Sequence, residues 1–242
     1  MDLRGVSAGL TDIGKVRRIN EDAFLALPKR GLWAVADGMG GHEAGEVASR
    51  SIVGELEQVE SFPTLEAFVE DVKRRLWAVN LRLQQMVAAS GFRSIIGSTV
   101  IVLLAQGDRA ACLWAGDSRI YRLRGGALER LTRDHSEVEE LIASGRLNPE
   151  DSESHPSANV ITRAIGAMVP GQTVEDRFVD LRAGDRFLVC SDGLYRYVEP
   201  DEMRQLMGRG EVGQVCRAMF ERAHSRQCAD NLTLVMVEFR AE

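Results

Sequence analysis

The sequence between residues 32 and 41 reads LWAVADGMGG. Its apolar run, Leu32–Ala36, has the length and composition of a buried β-strand. Asp37 and Gly38 follow at once, and Asp-Gly is a common turn dipeptide. Such a turn leaves a carboxylate at the edge of a sheet, and the glycine lets the main chain approach closely enough to offer a carbonyl as a ligand.

Other acidic clusters also adjoin apolar strands. They are Asn20-Glu21-Asp22, Gly116-Asp117-Ser118-Arg119, Ser191-Asp192-Gly193 and Asp230-Asn231. Each cluster taken singly is an ordinary turn, but several carboxylates gathered at one place would repel one another unless cations neutralised them. Oxygen ligands without grouped Cys or His favour Mg²⁺ or Mn²⁺ over zinc. The set predicts a metal site, and spacing alone does not establish that its members converge.

The rest of the pattern predicts strands interrupted by a few helices. Apolar residues recur at three- and four-residue steps over 64–89, which predicts a long helix with Thr64 as its N-cap. Shorter helices are predicted over 43–59, 200–207 and 212–223. This order favours an α+β fold with antiparallel sheets over an alternating one. The predicted strands and hairpin turn are 32–36, 98–105, 110–115, 119–123, 127–131, 186–190, 232–239 and Arg124-Gly125-Gly126.

Composition narrows the class of protein. A formal net charge of −6 without a basic stripe argues against a nucleic-acid partner. No apolar run approaches the roughly 20 residues of a membrane helix. Four widely spaced cysteines indicate reduced core residues of a cytoplasmic protein. The sequence therefore predicts one soluble domain over residues 1–242, with a helix and a mobile flap in the polar segment 136–160.

Eight short motifs occur in order along the chain. From about Gly9 to Val237 the chain resembles the bacterial branch of the protein phosphatase 2C family, the metal-dependent protein phosphatases. Any one motif is weak, but the order and spacing of all eight are specific. They are Arg17-x-x-Asn20-Glu21-Asp22, Asp37-Gly38-Met39-Gly40-Gly41-His42, Gly97-Ser98-Thr99, Gly116-Asp117-Ser118-Arg119, Thr132-Arg133-Asp134-His135, Thr162-Arg163-Ala164-Ile165-Gly166, Ser191-Asp192-Gly193-Leu194 and Asp230-Asn231.

The resemblance implies a four-layer α-β-β-α sandwich of two antiparallel sheets flanked by helices, with a metal centre at one end. It also implies the ligands of two ions, Mn²⁺ or Mg²⁺. Asp37 would bridge both ions, and Asp192 and Asp230 would complete the shell of one. Glu21 and the Gly38 carbonyl would serve the other ion.

Further roles follow from the same resemblance. Asp22 would orient a metal-bound water from outside the ligand shell. Asp117, together with Asp192, would hold a weaker third ion, and Asn231 would brace the Asp230 turn. Arg17 would hold phosphate oxygens through its planar fork, which lysine cannot copy. A solvated surface arginine is the alternative interpretation of Arg17.

The implied reaction is hydrolysis of phosphoserine and phosphothreonine by a metal-activated water, without a covalent phosphoenzyme. The proton donor to the leaving oxygen stays open. In animal relatives a histidine directly follows the Asp-Gly pair, and here that position is Met39. His42 and a metal-bound water are both candidates. His135 fits the family pattern and is interpreted as structural.

Other functions fit parts of the same pattern. A catalytically inactive relative acting as a binding module would usually lose metal ligands, yet Asp37, Asp192 and Asp230 are all present. A hydrolase of small phosphate esters could use the same site. A phosphatase coupled to a sensor is less favoured, because no sensor domain is attached.

The expected partners also come from the resemblance. A monomer opposing a bacterial serine/threonine kinase is expected. Phosphatases that accompany type VI secretion clusters, and act on a scaffold with a forkhead-associated domain, are a more specific comparison. No nucleic acid or membrane partner is expected.

Overall fold

The structure is a computed structural model and describes residues 3–40, 44–60, 62–90, 96–152 and 154–241. Its strands are β1 (Leu3–Asp12), β2 (Asp22–Leu27), β3 (Leu32–Gly40), β4 (Ile96–Ser98), β5 (Val100–Gln106), β6 (Arg109–Ala115), β7 (Arg119–Arg124), β8 (Ala127–Arg130), β9 (Glu175–Asp180), β10 (Arg186–Cys190) and β11 (Leu232–Ala241). Its α-helices are α1 (Ala44–Glu57), α2 (Leu65–Ser90), α3 (Glu137–Ala143), α4 (Asp192–Tyr195), α5 (Pro200–Met207) and α6 (Val212–Ser225).

The strands form two antiparallel sheets. The first sheet has the order β1-β11-β10-β7-β8, and the second has the order β2-β3-β5-β6-β9 with β4 paired to β3. β1 pairs with β11 along its whole length, from Leu3 opposite Ala241 to Asp12 opposite Leu232. The first sheet is therefore completed by two strands from opposite ends of the described chain.

Three hydrophobic layers hold the sheets and helices together. Alternate residues of β3 show why. Leu32, Ala34 and Ala36 pack in the cluster that contains α1 and α2, whereas Trp33 and Val35 pack in the cluster between the sheets. A strand buried on both faces reads as a continuous apolar run, as LWAVA does. The third cluster joins the first sheet to α4, α5 and α6, so the order of layers is helix, sheet, sheet, helix.

The predicted α+β sandwich is confirmed. The α5 prediction, 200–207, and the β10 prediction, 186–190, match the observed bounds. The Thr64 hydroxyl accepts the Ala67 amide at 3.2 Å, as an N-cap should. Gly125 and Gly126 have φ of 56° and 82° and form the two-residue hairpin turn between β7 and β8. All four cysteines are buried and free.

Three strands, β1, β2 and β9, lie outside the predicted ranges. β1 contains Gly5 and Gly9, which weaken a strand pattern. Both glycines are needed for packing, because a Cβ on Gly5 would meet the Trp33 ring at 2.6 Å and one on Gly9 would meet the Phe24 ring at 2.5 Å. β9 is a charged edge strand, a common protection of sheet edges. No helix among the described residues is long and apolar enough to cross a membrane.

Candidate metal centre

Strand ends bring the predicted aspartates to one end of the sandwich. Asp22 opens β2 and is the cross-strand partner of Asp37 in β3. Asp192 follows β10, Asp117 precedes β7 and Asp230 precedes β11, and these three strands are close together in the first sheet. The negative charges of the other four aspartates all raise the pKa of Asp37. The fold therefore gathers the five predicted aspartates into one acidic cluster.

Buried hydroxyl groups hold the main chain of Asp37 in place. The Asp37 amide donates to Thr99 Oγ1 at 3.2 Å, and the Asp37 carbonyl accepts from the Thr99 amide and from Ser98 Oγ, each at 2.9 Å. Thr99 Oγ1 in turn lies 2.8 Å from Ser118 Oγ. The Gly97-Ser98-Thr99 motif thus fixes the position from which the Asp37 carboxyl group reaches the cluster.

The carboxyl groups at the centre of the cluster resist ionisation. Burial, followed by the charges of Asp22 and Asp192, raises the pKa of Asp37 well above its ordinary value. Burial also raises the pKa of Asp192, as does the charge of Asp230, while Arg196 and a hydrogen bond with Asp37 act in the opposite direction. Buried carboxyl groups that raise the pKa of one another lie where the nearby positive charges are too few to offset their repulsion.

Asp22 and Asp117 show the same shortage of positive charge. Burial raises the pKa of each to about 7. The Ser191 hydroxyl donates to Asp22 Oδ2 at 2.8 Å. Asp22 Oδ1 is buried and has no hydrogen-bond partner in the part of the chain that the structure describes. A buried carboxylate oxygen without a donor is an oxygen suited to a water or a cation.

Glu21 and Gly38 lie side by side. The Gly38 amide donates to the Glu21 carbonyl at 3.1 Å, and the amide of Gly45 in α1 donates to Glu21 Oε1 at 3.1 Å. A Cβ on Gly38 would meet the Gly45 carbonyl oxygen at 2.2 Å. Glycine is required at position 38 because α1 begins directly against it.

Arg17 forms an ion pair with Asp230, one of the predicted metal ligands. Its Nε and terminal nitrogen lie 2.8 Å from Asp230 Oδ1 and Oδ2, a two-pronged ion pair. The Arg17 side chain is 52% exposed and that of Asp230 is 37% exposed. The guanidinium therefore stands at the open edge of the acidic cluster, where a phosphate could reach it. Arg17 is thus a solvated surface arginine with one ion pair, and its contact with phosphate stays a prediction.

Asn231 anchors the loop that carries Arg17. Its side-chain nitrogen donates to the carbonyls of Ile13 and Ile19 at 3.0 Å each, and its Oδ1 accepts from the Glu21 amide at 2.9 Å. Only its main-chain amide braces Asp230, at 2.8 Å. The predicted brace of the Asp230 turn is therefore made by the main chain, and the side chain ties residues 13–21 to the start of β11.

The spacing Cys-x5-Arg, typical of phosphatases with a cysteine nucleophile, occurs twice, at Cys190–Arg196 and Cys216–Arg222. Cys190 ends β10 and Cys216 lies within α6. Burial raises the pKa of Cys190 to about 12 and that of Cys216 to about 11. Both residues are thiols at neutral pH, so neither spacing forms a nucleophile loop.

The acidic cluster fits a hard cation on two counts. Its ligand atoms are oxygens, and its carboxyl groups raise the pKa of one another. Among the described residues, however, no three His, Cys, Asp or Glu side chains surround one point closely enough to hold an ion. Arg17 and Arg196 engage the outer carboxylates, Asp230 and Asp192. The individual ligand assignments therefore stay predictions.

The sequence model described as Protein phosphatase 2C matches residues 15–235. The chain belongs to the protein phosphatase 2C family. The resemblance inferred from the eight motifs is confirmed.

Several bacterial members of the protein phosphatase 2C family are similar in sequence. Serine/threonine protein phosphatase PstP of Mycobacterium tuberculosis is 34% identical over 231 residues, which are 96% of this chain and 44% of PstP. The chain therefore spans less than half the length of that relative. Serine/threonine phosphatase stp of Listeria innocua is 32% identical over 237 residues, 94% of this chain and 93% of the relative.

Solved structures of the family share the fold. PppA, described as a key regulatory component of T6SS in Pseudomonas aeruginosa, has a TM-score of 0.90 and 39% identity, covering 98% of this chain and 100% of that one. The catalytic domain of PstP in complex with two manganese ions has a TM-score of 0.86 and 33% identity, covering 99% of this chain and 100% of that one.

Two histidines of this protein phosphatase 2C domain, His42 and His135, belong to the motifs of the predicted site. His42 lies outside the described residues. His135 Nδ1 accepts from the Gly116 amide at 3.2 Å, its Nε2 lies 2.9 Å from Glu175, and its ring stacks on Trp114, as a structural role requires. Burial lowers the pKa of His135.

Two residues near the cluster were missed from the sequence. Ser191 belongs to one of the eight motifs, but its bond to Asp22 spans 169 positions, so no local signal in the sequence could reveal it. Arg196 lies four residues after Asp192, a spacing that places the two on one side of α4 and could have indicated their contact.

Proposed function

We propose that the chain is a metal-dependent serine/threonine phosphoprotein phosphatase. The observation that carries the proposal is the acidic cluster with Arg17 at its edge. Glu21, Asp37, the Gly38 carbonyl, Asp192 and Asp230 would hold two ions, Mn²⁺ or Mg²⁺. When bound, the ions supply positive charge that polarises phosphoryl oxygens and lowers the pKa of water.

The other residues around the cluster would bind the phosphate and orient the attacking water. Arg17 binds two phosphate oxygens through the same fork that now holds Asp230. Asp22 Oδ1, which lacks a donor among the described residues, accepts a hydrogen bond from the attacking water and fixes its direction. Ser191 keeps that carboxyl group in place from the other side. As water attacks phosphorus, the bond from phosphorus to the seryl or threonyl oxygen breaks. The water loses a proton and the leaving oxygen takes one up, which gives phosphate and a free hydroxyl group, so no enzyme nucleophile is needed.

A third ion would lie between Asp117 and Asp192, where Arg196 is already bound. The Arg196 guanidinium lies 3.0 Å from Asp192 Oδ2 and 3.9 Å from Asp117 Oδ2. An ion placed there would compete with this guanidinium for the same oxygens.

Hydrolysis assays test the proposed function. The substrates are a phosphothreonine peptide and p-nitrophenyl phosphate, each with EDTA, Mg²⁺ or Mn²⁺, beside the Asp192→Ala variant. We expect both substrates to be turned over only with metal, and turnover to be lost in the variant. Folded protein without activity under any of these conditions would favour a binding module. Cleavage of the small ester alone would favour a hydrolase of small esters.

The flap segment would influence the choice of substrate. We propose one catalytic domain over residues 1–242, in which segment 136–160 borders the site and favours basic or neutral phosphopeptides. Glu140, Glu150 and Asp151 are exposed, whereas Glu139 is paired with Arg130 and Arg133. Replacing segment 136–160 by that of a relative should change the ratio of rates on acidic and basic peptides. An unchanged ratio would remove this role.

We also propose a cellular setting. The enzyme would act as a monomer in the cytoplasm and oppose a serine/threonine kinase. Similarity to PppA over 98% of the chain supports a substrate in a type VI secretion system, such as a phosphorylated scaffold with a forkhead-associated domain. Dephosphorylation of such a scaffold by the purified protein, beside Asp192→Ala, tests this assignment.

A further inference from the structure

Arg196 contacts both the acidic cluster and the flap segment. It directly follows α4, and its main-chain amide donates to the Asp192 carbonyl at 3.1 Å. From there its Nε reaches Asp192 Oδ2 at 3.0 Å, and one terminal nitrogen lies 3.9 Å from Asp117 Oδ2. The other terminal nitrogen donates to Asn159 Oδ1 in the flap segment. One guanidinium therefore contacts two carboxylates of the acidic cluster and the flap.

The residue before Arg196 is held in place by neighbouring side chains. The Tyr195 hydroxyl donates to the Asp117 carbonyl at 3.1 Å. The Arg119 guanidinium lies over the Tyr195 ring at 3.6 Å and is itself bound by both oxygens of Asp134. The start of the Arg196 side chain is thus fixed on one side, and its contacts are not those of a loose surface arginine.

We propose that Arg196 is a positioning residue that acts as a fixed internal cation on Asp192 and Asp117 and couples these carboxylates to the flap through Asn159. A divalent ion that bound between the two carboxylates would displace the guanidinium and release Asn159 as well. Ion binding at this pair and attachment of the flap are therefore opposed. Because such coupling is reciprocal, loosening the flap must also ease binding of the ion.

The inference rests on the proposed function for its importance to catalysis, but its test needs no substrate. The number of Mn²⁺ ions bound per chain is counted by equilibrium dialysis and titration calorimetry, and cleavage of segment 144–160 is followed by limited proteolysis. The variants are Arg196→Gln, which removes the charge, Arg196→Lys, which keeps it, and Asn159→Ala, which removes the flap contact alone. Arg204→Gln is the control, because Arg204 forms an exposed ion pair with Asp201 on α5.

We expect Arg196→Gln to bind one more Mn²⁺ ion than the parent chain, or to bind the same last ion about tenfold more tightly. Arg196→Lys should restore the ion count of the parent, since the charge remains. Proteolysis of the flap without metal should be faster in both Arg196→Gln and Asn159→Ala. Millimolar Mn²⁺ should speed flap cleavage in the parent but not in Arg196→Gln.

Equal ion counts and affinities in the parent and Arg196→Gln, with both proteins folded by circular dichroism, would overturn the proposal. Flap cleavage in Asn159→Ala at the rate of the parent would also overturn it. An inactive protein that still shows these differences would disprove the proposed function and leave the role of Arg196 intact. An active phosphatase without them would do the reverse.

Discussion

At the scale of single residues, we expect Arg17 to affect the binding of phosphate more than the stability of the fold. Its ion pair with Asp230 is more than a third exposed on both sides, and exposed pairs contribute about 0–1 kcal/mol. Its proposed contacts with phosphate are charge-assisted hydrogen bonds of about 1.5–3 kcal/mol. We therefore expect Arg17→Ala to raise KM for a phosphopeptide about tenfold and to change the free energy of unfolding little.

Steady-state kinetics and thermal unfolding check this prediction. Arg18→Ala is the matched control, because Arg18 is the exposed neighbour in the same loop. An unchanged KM in Arg17→Ala would return Arg17 to the role of a partner for Asp230.

Asp22 makes the stability of the metal-free protein depend on pH. Burial raises its pKa from 3.8 to about 7 in the folded protein. A raised carboxyl pKa contributes stability below the unfolded pKa that is lost as pH rises through the folded one. We expect this carboxyl group to lower the free energy of unfolding by about 3 kcal/mol between pH 4 and pH 7.

Denaturant unfolding of the parent chain and Asp22→Asn, both in EDTA, isolates this effect. The stability difference between the two proteins should shift in favour of the variant as pH rises over that interval. A difference that stays constant with pH would show that Asp22 is ionised in the folded protein throughout.

At the scale of elements, the loop between β1 and β2 depends on Gly14. Its φ is +74°, and a Cβ there would meet the Asp230 carbonyl oxygen at 2.0 Å. Gly107 also has a positive φ, +61°, but has no heavy atom within 4 Å of the added Cβ. Gly107→Ala should cost about 1 kcal/mol of stability from its backbone conformation alone.

We expect Gly14→Ala to cost about 3 kcal/mol or more, because a rigid main-chain oxygen must also move. The same movement displaces Asp230 and should weaken Mn²⁺ binding, which Gly107→Ala leaves unchanged. Thermal unfolding and Mn²⁺ titration measure both effects. Equal losses in the two variants would show that the loop can yield without disturbing the cluster.

Some helices and strands could be predicted from the sequence, and others could not. The sequence predicted α2 from its helical period and β3, β6 and β10 from their apolar runs, because burial selects apolar residues at fixed steps. β1 was not, since the aromatic rings packed on it require glycines that weaken a strand signal. The aspartates were identified by their place at strand ends. The Arg196–Asn159 contact joins segments whose proximity only the fold determines.

At the scale of the whole molecule, cations should stabilise the fold. Ligand at about 100 times its dissociation constant adds about 2.7 kcal/mol to the free energy of unfolding. For a domain of 150–250 residues, each kcal/mol raises Tm by about 2–4 °C. We expect saturating Mn²⁺ to raise Tm of the parent chain by about 5–10 °C over EDTA.

Differential scanning fluorimetry measures this shift, with Asp37→Asn as the comparison. In EDTA the variant should unfold at a higher temperature than the parent, because its central repelling carboxyl group is gone. With Mn²⁺ the order should reverse. A parent chain whose Tm ignores Mn²⁺ would contradict metal binding at the cluster.

The distance along the chain between β1 and β11 sets a time at which the protein can begin to work. A growing chain makes Leu3–Asp12 long before it makes the partner strand, Leu232–Ala241. Until Leu232–Ala241 leave the ribosome, β1 has no hydrogen-bonding neighbour in its sheet, and Asp230 has no fixed place. Contacts so distant in sequence form slowly and late. We therefore expect a nascent chain to stay inactive until the residues of β11 have been made.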